Sequence, residues 1–184
     1  MIGCVWTGND LLIVWINGAF GAGKTTVAKK LRKKLEKSFI YDPEQVGYFL
    51  WNSFPPELKR RGNFQHIPMW REFNAKILLH LAQNYDGTIL VPMTLYTRQY
   101  YDEIIGTLQT QGVAVKHFIL MAGDKTLEKR LRKRGRRKAA WPISHIQTCQ
   151  KAFSTDIPGC HIDTDTQNAE GVAREILGKI AADM

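Results

Sequence analysis

The chain carries the sequence LLIVWINGAFGAGKTT at residues 11–26. Within it, residues 18–25 match the phosphate-binding pattern G-x-x-x-x-G-K-[ST]. This pattern works between a strand that delivers the loop and a helix that leaves it, so that backbone N–H groups and the helix dipole point at phosphates. The unbroken apolar run Leu11 to Ile16 and the helical pattern that begins at Thr25 supply both flanks. The stretch therefore predicts a nucleoside-triphosphate site.

The residue types of this loop indicate ATP and Mg²⁺ as cofactors. Lys24 is expected to reach the β- and γ-phosphates as a catalytic cation, and the Thr25 hydroxyl is expected to ligate Mg²⁺. The glycines let the backbone turn tightly and approach the phosphate oxygens. The predicted nucleotide contacts of the loop are Gly18, Ala19, Phe20, Gly21, Ala22, Gly23, Lys24, Thr25 and Thr26.

A length of 184 residues suits a single domain over residues 1–184 that buries its own core. The three cysteines lack C-x-x-C spacing, so nothing supports a disulfide framework or a zinc cluster. No segment reaches the roughly 18 consecutive apolar residues of a membrane span, and polar residues interrupt the start of the chain. We therefore expect a cytoplasmic protein, with any membrane contact peripheral and made by the C-terminal helix.

The net charge of +9 raises the question of an anionic partner. One basic cluster follows the phosphate loop, and a solvated helix face is the favoured interpretation of it. The second cluster spans residues 125–138 and is expected to include contacts to nucleotide phosphates. Neither cluster carries the signature of a nucleic-acid-binding module, so no nucleic-acid partner is predicted.

Apolar runs alternate with helical patterns along the whole chain. The runs lie at residues 11–16, 39–41, 88–93, 113–121 and 160–162. Such alternation is typical of parallel strands joined by right-handed crossovers, in which ligands bind beyond the carboxyl ends of the strands. The sequence therefore predicts an α/β fold, a P-loop NTPase of three α/β/α layers with a parallel sheet.

Two stretches depart from this alternation. Residues 44–86 are too long for a simple crossover and contain three interrupting prolines, which predicts an insertion of short helices that holds a substrate. Its aromatic side chains are expected to serve mostly in core packing. Residues 132–142 contain the glycine-arginine segment 134–138, which predicts an irregular, mobile lid between two helices.

Asp42 ends the second apolar run, in the sequence Tyr41-Asp42-Pro43-Glu44. Its carboxylate could accept a proton from an attacking hydroxyl or hold Mg²⁺ through water. Alternatively it caps the helix that starts near Pro43. Glu44 is expected only to favour the helix N-terminus.

Arginines in the second basic cluster are candidates for stabilising transition-state charge, because the guanidinium fork matches phosphate oxygens. Arg130 and Arg134 stand four residues apart and are expected to share a helix face, with Arg134 and Arg137 in catalytic roles. Thr94 and Arg98 follow the third apolar run and are predicted substrate contacts, with a solvated Arg98 as the alternative.

Taken together, these motifs resemble those of the ATP-binding tunicamycin-resistance proteins among the small P-loop kinases. The matching residues are 15–25 (WINGAFGAGKT), 41–44 (YDPE) with Gly47, and 91–94 (VPMT). The resemblance implies a shikimate-kinase or nucleotide-kinase architecture with five parallel strands in the order 2-3-1-4-5. It also implies a base or substrate contact at Asp42, lid arginines at 134–137, and an adenine contact near Thr164. The third strand ends in Met93-Thr94 without a Walker B aspartate, so Asp42 would also be needed for Mg²⁺.

Two functions follow from these expectations. The first is an ATP- and Mg²⁺-dependent phosphotransferase that acts on a hydroxyl of tunicamycin or a related nucleoside-like small molecule. The second is a protein that sequesters such a compound and uses ATP only to order its pocket. A regulatory GTPase is disfavoured because the N-K-x-D motif is absent.

Overall fold

The computed structural model describes residues 11–58 and 63–182. Its strands are β1 (Leu12–Gly18), β2 (Ser38–Ile40), β3 (Thr88–Pro92), β4 (Val115–Met121) and β5 (Cys160–Asp163). They form one sheet in the order β2-β3-β1-β4-β5, and every neighbouring pair is parallel. The predicted fold class and strand order are confirmed.

The central strand β1 explains why the run before the phosphate loop is unbroken. It lies between β3 and β4, and Val14 is in register with Leu90 on one side and Lys116 on the other. All seven of its residues are buried. A parallel strand covered on both faces needs apolar side chains at consecutive positions, rather than an alternating pattern.

Helices cover the sheet and lengthen the connections. They are α1 (Lys24–Arg32), α2 (Glu44–Ser53), α3 (Pro68–Asn84), α4 (Arg98–Tyr101), α5 (Thr107–Thr110), α6 (Asp124–Arg132), α7 (Arg136–Ser144), α8 (Ile146–Thr155) and α9 (Ala169–Ala182). A π-helical segment, Asp102–Gly106, joins α4 to α5.

The C-terminal helix α9 packs against α1 through an apolar stripe. Val172, Ile176 and Ile180 of this stripe are buried. The C-terminal helix, which the sequence analysis named for any peripheral membrane contact, therefore buries its apolar stripe inside the fold. Within residues 11–58 and 63–182, no helix is long and apolar enough to cross a membrane.

The insertion between β2 and β3 consists of α2, α3 and two 3₁₀ turns, Pro56–Leu58 and Phe64–His66. Trp70 at the start of α3 is fully buried and donates its Nε1 hydrogen to the Pro43 carbonyl at 3.0 Å. Tyr41 at the end of β2 donates to Asn74 Oδ1 at 2.7 Å. These bonds fix the insertion on the Asp-Pro-Glu turn.

The prediction that residues 134–138 form an irregular segment is wrong in its extent. Helix α6 ends at Arg132, Gly135 turns the chain with φ +118°, and α7 already begins at Arg136. Only a short break separates two helices, because a single residue in the left-handed region suffices to redirect the chain. Residues 1–10, which the sequence suggests are an additional tail, lie outside the described residues.

Candidate functional site

The phosphate loop connects β1 to α1 at the carboxyl edge of the sheet. Gly18 has φ +138°, and a Cβ there would stand 2.6 Å from the Leu120 carbonyl oxygen. Both the conformation and the space therefore require glycine. Helix α1 begins at Lys24, and no side chain caps its N-terminus. Its first-turn N–H groups are the donors that an anion would use.

The Trp-Ile-Asn sequence before the loop anchors it to the end of β3. Trp15 donates its Nε1 hydrogen to the Met93 carbonyl at 3.1 Å. Asn17 is fully buried: its Oδ1 accepts from the N–H groups of Gly18 and Leu95, and its Nδ2 donates to the Leu95 carbonyl at 2.9 Å. A buried side chain that makes these bonds holds two loops in one geometry.

Lys24 binds the backbone of the phosphate loop directly. Its Nζ donates to the carbonyls of Gly18 and Ala19, each at 3.0 Å. Burial lowers the pKa of Lys24 to about 8, and nearby Arg134 adds to the fall while Glu44 opposes it. Burial removes water from the ammonium group and disfavours its charge. A phosphate that binds beside it would supply the opposite charge and so favour the charged form.

Three cavities adjoin one another along this edge. We name them the basic, central and aromatic cavities, with volumes of about 320, 280 and 270 Å³. The central cavity contains Lys24, Thr25 and Thr94 of the predicted site. The residues it shares with the basic cavity are Gly21 and Arg134, and those it shares with the aromatic cavity are Phe20, Glu44 and Met93.

The basic cavity gathers predicted nucleotide contacts from distant parts of the chain. Thr26, Arg130, Arg134 and Thr164 all line it. Arg130 binds Thr164 through both terminal nitrogens, at 3.1 Å to Oγ1 and 2.6 Å to the carbonyl oxygen. Arg134 lies beyond the end of α6, so the expectation that it shares a helix face with Arg130 is wrong. The tertiary fold nevertheless brings both to one cavity.

Thr94 lines the central cavity and also makes a hydrogen bond to the phosphate loop. Its hydroxyl donates to the Gly18 carbonyl at 2.9 Å, and the residue is only 3 % exposed. Its predicted contact with substrate stays a prediction. The bond to Gly18 gives the residue a role in positioning the phosphate loop.

Asp42 has the capping bond that was one of its predicted alternatives. Its Oδ1 accepts from the Glu44 N–H at 3.0 Å, just before α2. Asp42 lines none of the three cavities, whereas Glu44 lines both the central and the aromatic one. Glu44 is therefore the carboxylate between the two cavities, a position that the sequence analysis missed.

The environment of Glu44 disfavours its charged form. Burial raises the pKa of this carboxyl, and the nearby Asp42 carboxylate raises it further. A hydrogen bond from Tyr48 Oη to Glu44 Oε2, at 3.3 Å, and the charge of Lys24 act in the opposite direction. A carboxylate with a raised pKa is a stronger proton acceptor than an exposed one.

The described contacts do not place two other predicted site residues, Arg98 and Arg137, at the carboxyl edge of the sheet. Arg98 is exposed and donates from Nε to both carboxylate oxygens of Asp102 at 2.9 Å, and it lines none of the three cavities. The solvated alternative describes Arg98 better than a substrate contact. The predicted role of Arg137 rests on a side chain outside the described part of the structure.

The central cavity fits Mg²⁺ that arrives with a triphosphate. Thr25 lines this cavity and is exposed, so its hydroxyl could bind the ion together with phosphate oxygens. Mg²⁺ is usually held by one or two protein oxygens together with phosphates and water. Among the described residues no cluster of three or more acidic, histidine or cysteine side chains forms a metal cage.

A family model described as "AAA domain" matches residues 13–155, which run from β1 through α8. The chain belongs to the AAA domain family. No curated protein matches it.

Several solved structures of other proteins are similar to this AAA domain. The tunicamycin resistance protein of Deinococcus radiodurans is 28% identical, with a TM-score of 0.78 over 91% of this chain and 94% of that one. Shikimate kinase from Acinetobacter baumannii is 17% identical, with a TM-score of 0.62 over 95% and 96%. Deoxyadenosine kinase from M. mycoides is 20% identical, with a TM-score of 0.57 over 92% and 99%. The AAA domain therefore has the fold of small P-loop kinases.

Proposed function

We propose that this protein is an ATP- and Mg²⁺-dependent phosphotransferase that acts on a hydroxyl of tunicamycin or a related nucleoside-like small molecule. The observation that carries the proposal is the order of the cavities. The central cavity, with Lys24, lies between a basic cavity suited to a nucleotide and an aromatic cavity suited to an acceptor. The 28% identity to a tunicamycin resistance protein supports the choice of compound.

On the donor side, the loop N–H groups and Lys24 bind the β- and γ-phosphates of ATP. Arg130, Arg134 and Thr164 border the nucleotide in the basic cavity. Thr25 and phosphate oxygens would hold Mg²⁺, which supplies charge neutralisation at the transferring phosphoryl group. The protein's part is to position the phosphates and to exclude water from them.

On the acceptor side, the hydroxyl oxygen attacks the γ-phosphorus and forms the new P–O bond. The bond from that phosphorus to the β–γ bridging oxygen breaks, and ADP leaves with its electron pair. The hydroxyl proton passes to Glu44, because this carboxylate lines both cavities through which the two reactants meet. Asp42 instead fixes the turn that presents Glu44.

The test is transfer from [γ-³²P]ATP to tunicamycin and to a panel of nucleosides, amino sugars and sugar acids. Glu44→Gln is expected to lower kcat by roughly 10²- to 10⁴-fold, the range for loss of a general base, with little change in the Kd for ATP. Asp42→Asn retains an acceptor oxygen for the Glu44 N–H and is expected to lower kcat less than tenfold.

Three outcomes would contradict parts of the proposal. No labelled product with any acceptor would rule out phosphoryl transfer, and stoichiometric ATP-promoted binding of tunicamycin without product would favour sequestration. A larger loss of kcat in Asp42→Asn than in Glu44→Gln would return the role of base to Asp42.

A further inference from the structure

The Asn17 amide, which anchors the phosphate loop, has a further hydrogen-bond partner on β4, the strand beside β1. Its Oδ1 accepts from two backbone N–H groups, and its Nδ2 donates to the Leu95 carbonyl. Nδ2 also lies 3.1 Å from His117 Nε2. A primary amide has two N–H donors and two acceptor positions, so this contact takes its second hydrogen. His117 therefore completes the hydrogen bonds of the buried amide that holds the loop.

The other ring nitrogen of His117 decides where its proton lies. Nδ1 stands 2.6 Å from the Pro158 carbonyl oxygen, in the segment before β5. A carbonyl oxygen only accepts, so Nδ1 must carry the proton. Nε2 must then be unprotonated, because the Asn17 amide nitrogen that it faces can only donate. The two bonds together select the neutral imidazole with its proton on Nδ1.

The surroundings of the ring favour this neutral form. Burial lowers the pKa of His117 to about 4, the bond to Pro158 opposes the fall, and nearby His161 adds to it. The Tyr101 ring lies beside the imidazole, with 5.4 Å between the centroids. A Cβ on Gly159 would stand 3.0 Å from His117 Nδ1, so the segment before β5 passes close to the ring. The imidazole therefore has little room to turn.

These bonds form one chain that runs from the phosphate loop to the segment before β5. The Gly18 N–H donates to Asn17 Oδ1 at 2.8 Å, and Asn17 Nδ2 donates to His117 Nε2. His117 Nδ1 then donates to the Pro158 carbonyl. Hydrogen bonds in series polarise one another and hold a single arrangement. At the loop end, the Gly18 carbonyl accepts from Lys24 Nζ, so the backbone that the chain fixes also holds this lysine.

We propose that His117 is a positioning residue for the phosphate loop, whose Nε2 lone pair holds the Asn17 amide in the orientation that accepts the Gly18 N–H. A side chain without an acceptor at that place leaves an amide hydrogen buried without a partner, which is unfavourable. The amide then moves to find another partner, and the Gly18 N–H loses its fixed acceptor. The inference rests on the proposed function only where it concerns ATP, because the geometry of the loop can be measured without nucleotide.

The first experiment detects the protonation of His117 in the native protein without nucleotide. Nitrogen-15 NMR of the labelled protein distinguishes a protonated ring nitrogen from an unprotonated one, and the ring signals are assigned to His117 through its backbone resonances. At pH 7 we expect a protonated Nδ1 and an unprotonated Nε2. A proton on Nε2 at this pH, in the other neutral tautomer or in the imidazolium, would overturn the proposal.

A second experiment uses two substitutions that separate the bond to Asn17 from the bond to Pro158. His117→Asn brings an amide nitrogen to the place of Nδ1, so it keeps a donor for Pro158 and loses the acceptor for Asn17. His117→Gln reaches the place of Nε2 with an amide oxygen, so it keeps the acceptor and loses the donor. Both variants lack the ring, and urea unfolding should show similar losses of stability in the two.

Hydrogen exchange of the Gly18 amide, taken relative to the other amides of β1, measures the position of the loop. In His117→Asn we expect this exchange to be about tenfold faster and the Kd for ATP to be about tenfold higher, as for the loss of one buried hydrogen bond. In His117→Gln both values should stay within about threefold of those of the native protein. His161→Asn, at an exposed position of β5 near the ring, is the matched control and should change neither.

The outcomes separate this inference from the proposed function. If ATP does not bind, the proposed function fails, while the tautomer and the Gly18 amide still decide the inference. Gly18 exchange that is unchanged in His117→Asn, or faster to the same degree in both variants, would overturn the inference and leave phosphotransfer standing. Should neither variant fold, the tautomer in the native protein decides alone.

Discussion

The lowered pKa of Lys24 predicts that the proposed binding of nucleotide depends on pH. Burial brings this pKa from 10.5 to about 8 in the protein without ligand. A bound triphosphate restores the charged form, so binding above pH 8 takes up one proton. The nearby Cys149 thiol does not interfere, because burial raises its pKa to about 12. Phosphate oxygens are already ionised, with a second pKa of about 6.

The magnitude follows from the fraction of Lys24 that carries a proton. With a pKa of about 8, roughly nine-tenths is charged at pH 7 and about one-tenth at pH 9. The Kd for ATP should therefore rise about tenfold from pH 7 to pH 9 in the native protein. Lys24→Met should bind ATP roughly 10- to 100-fold more weakly at pH 7, as expected for loss of a charged hydrogen bond, and its Kd should be flat from pH 8 to 9.

The same variant tests the cost of the buried charge in the absence of ATP. Because folding lowers this pKa, the folded state disfavours the ammonium, and the free energy of unfolding should rise as the pH increases from about 8 to 10.5. Lys24→Met should then be more stable than the native protein at pH 7, by at most about 3 kcal/mol.

Calorimetric titration and urea unfolding measure the two effects. Lys29→Met, at an exposed position of the same helix, is the control and should change neither. A Kd for ATP that is the same at pH 7 and pH 9 in the native protein would refute the reasoning, as would a Lys24→Met variant that is less stable than the native protein without nucleotide.

Three further predictions concern the elements that hold the site. Gly47→Ala should destabilise the protein by up to about 2 kcal/mol, because a Cβ that stands 2.6 Å from the Phe64 ring costs about 1–3 kcal/mol, of which roughly 1 kcal/mol is regained in helix propensity. Trp70→Phe should lower stability by about 1–3 kcal/mol, since it leaves the buried Pro43 carbonyl without its donor. Arg130→Lys should weaken ATP binding roughly tenfold, because lysine cannot make both bonds to the loop after β5.

Urea unfolding measures the first two variants and ATP titration the third. Gly178→Ala, where a Cβ meets nothing within 4 Å, is the control for Gly47→Ala and should be neutral or stabilising. Stability unchanged in Gly47→Ala or Trp70→Phe would show that the insertion packs differently. An unchanged Kd in Arg130→Lys would remove this arginine from the nucleotide site.

The strands and the phosphate loop could be predicted because their signals are local. An unbroken apolar run before Gly18 is what a parallel strand covered on both faces requires, and the spacing of glycines with Lys24 and Thr25 is set by the loop itself. The alternation of strands and helices allowed only a few topologies, because the crossover connections between parallel strands are nearly always right-handed. The five-stranded order rested on family resemblance, and the sheet has that order.

The acceptor side could not be predicted in the same way, because it depends on packing between segments far apart in the chain. The sequence favoured Asp42 over Glu44, yet the turn directs the first carboxylate to a backbone N–H and leaves the second between two cavities. The sequence by itself determined the sheet and the phosphate loop through local periodicity and spacing. Only the tertiary structure decided which polar groups line the cavities at the edge where the acceptor would bind, because that depends on how segments far apart in the chain pack against one another.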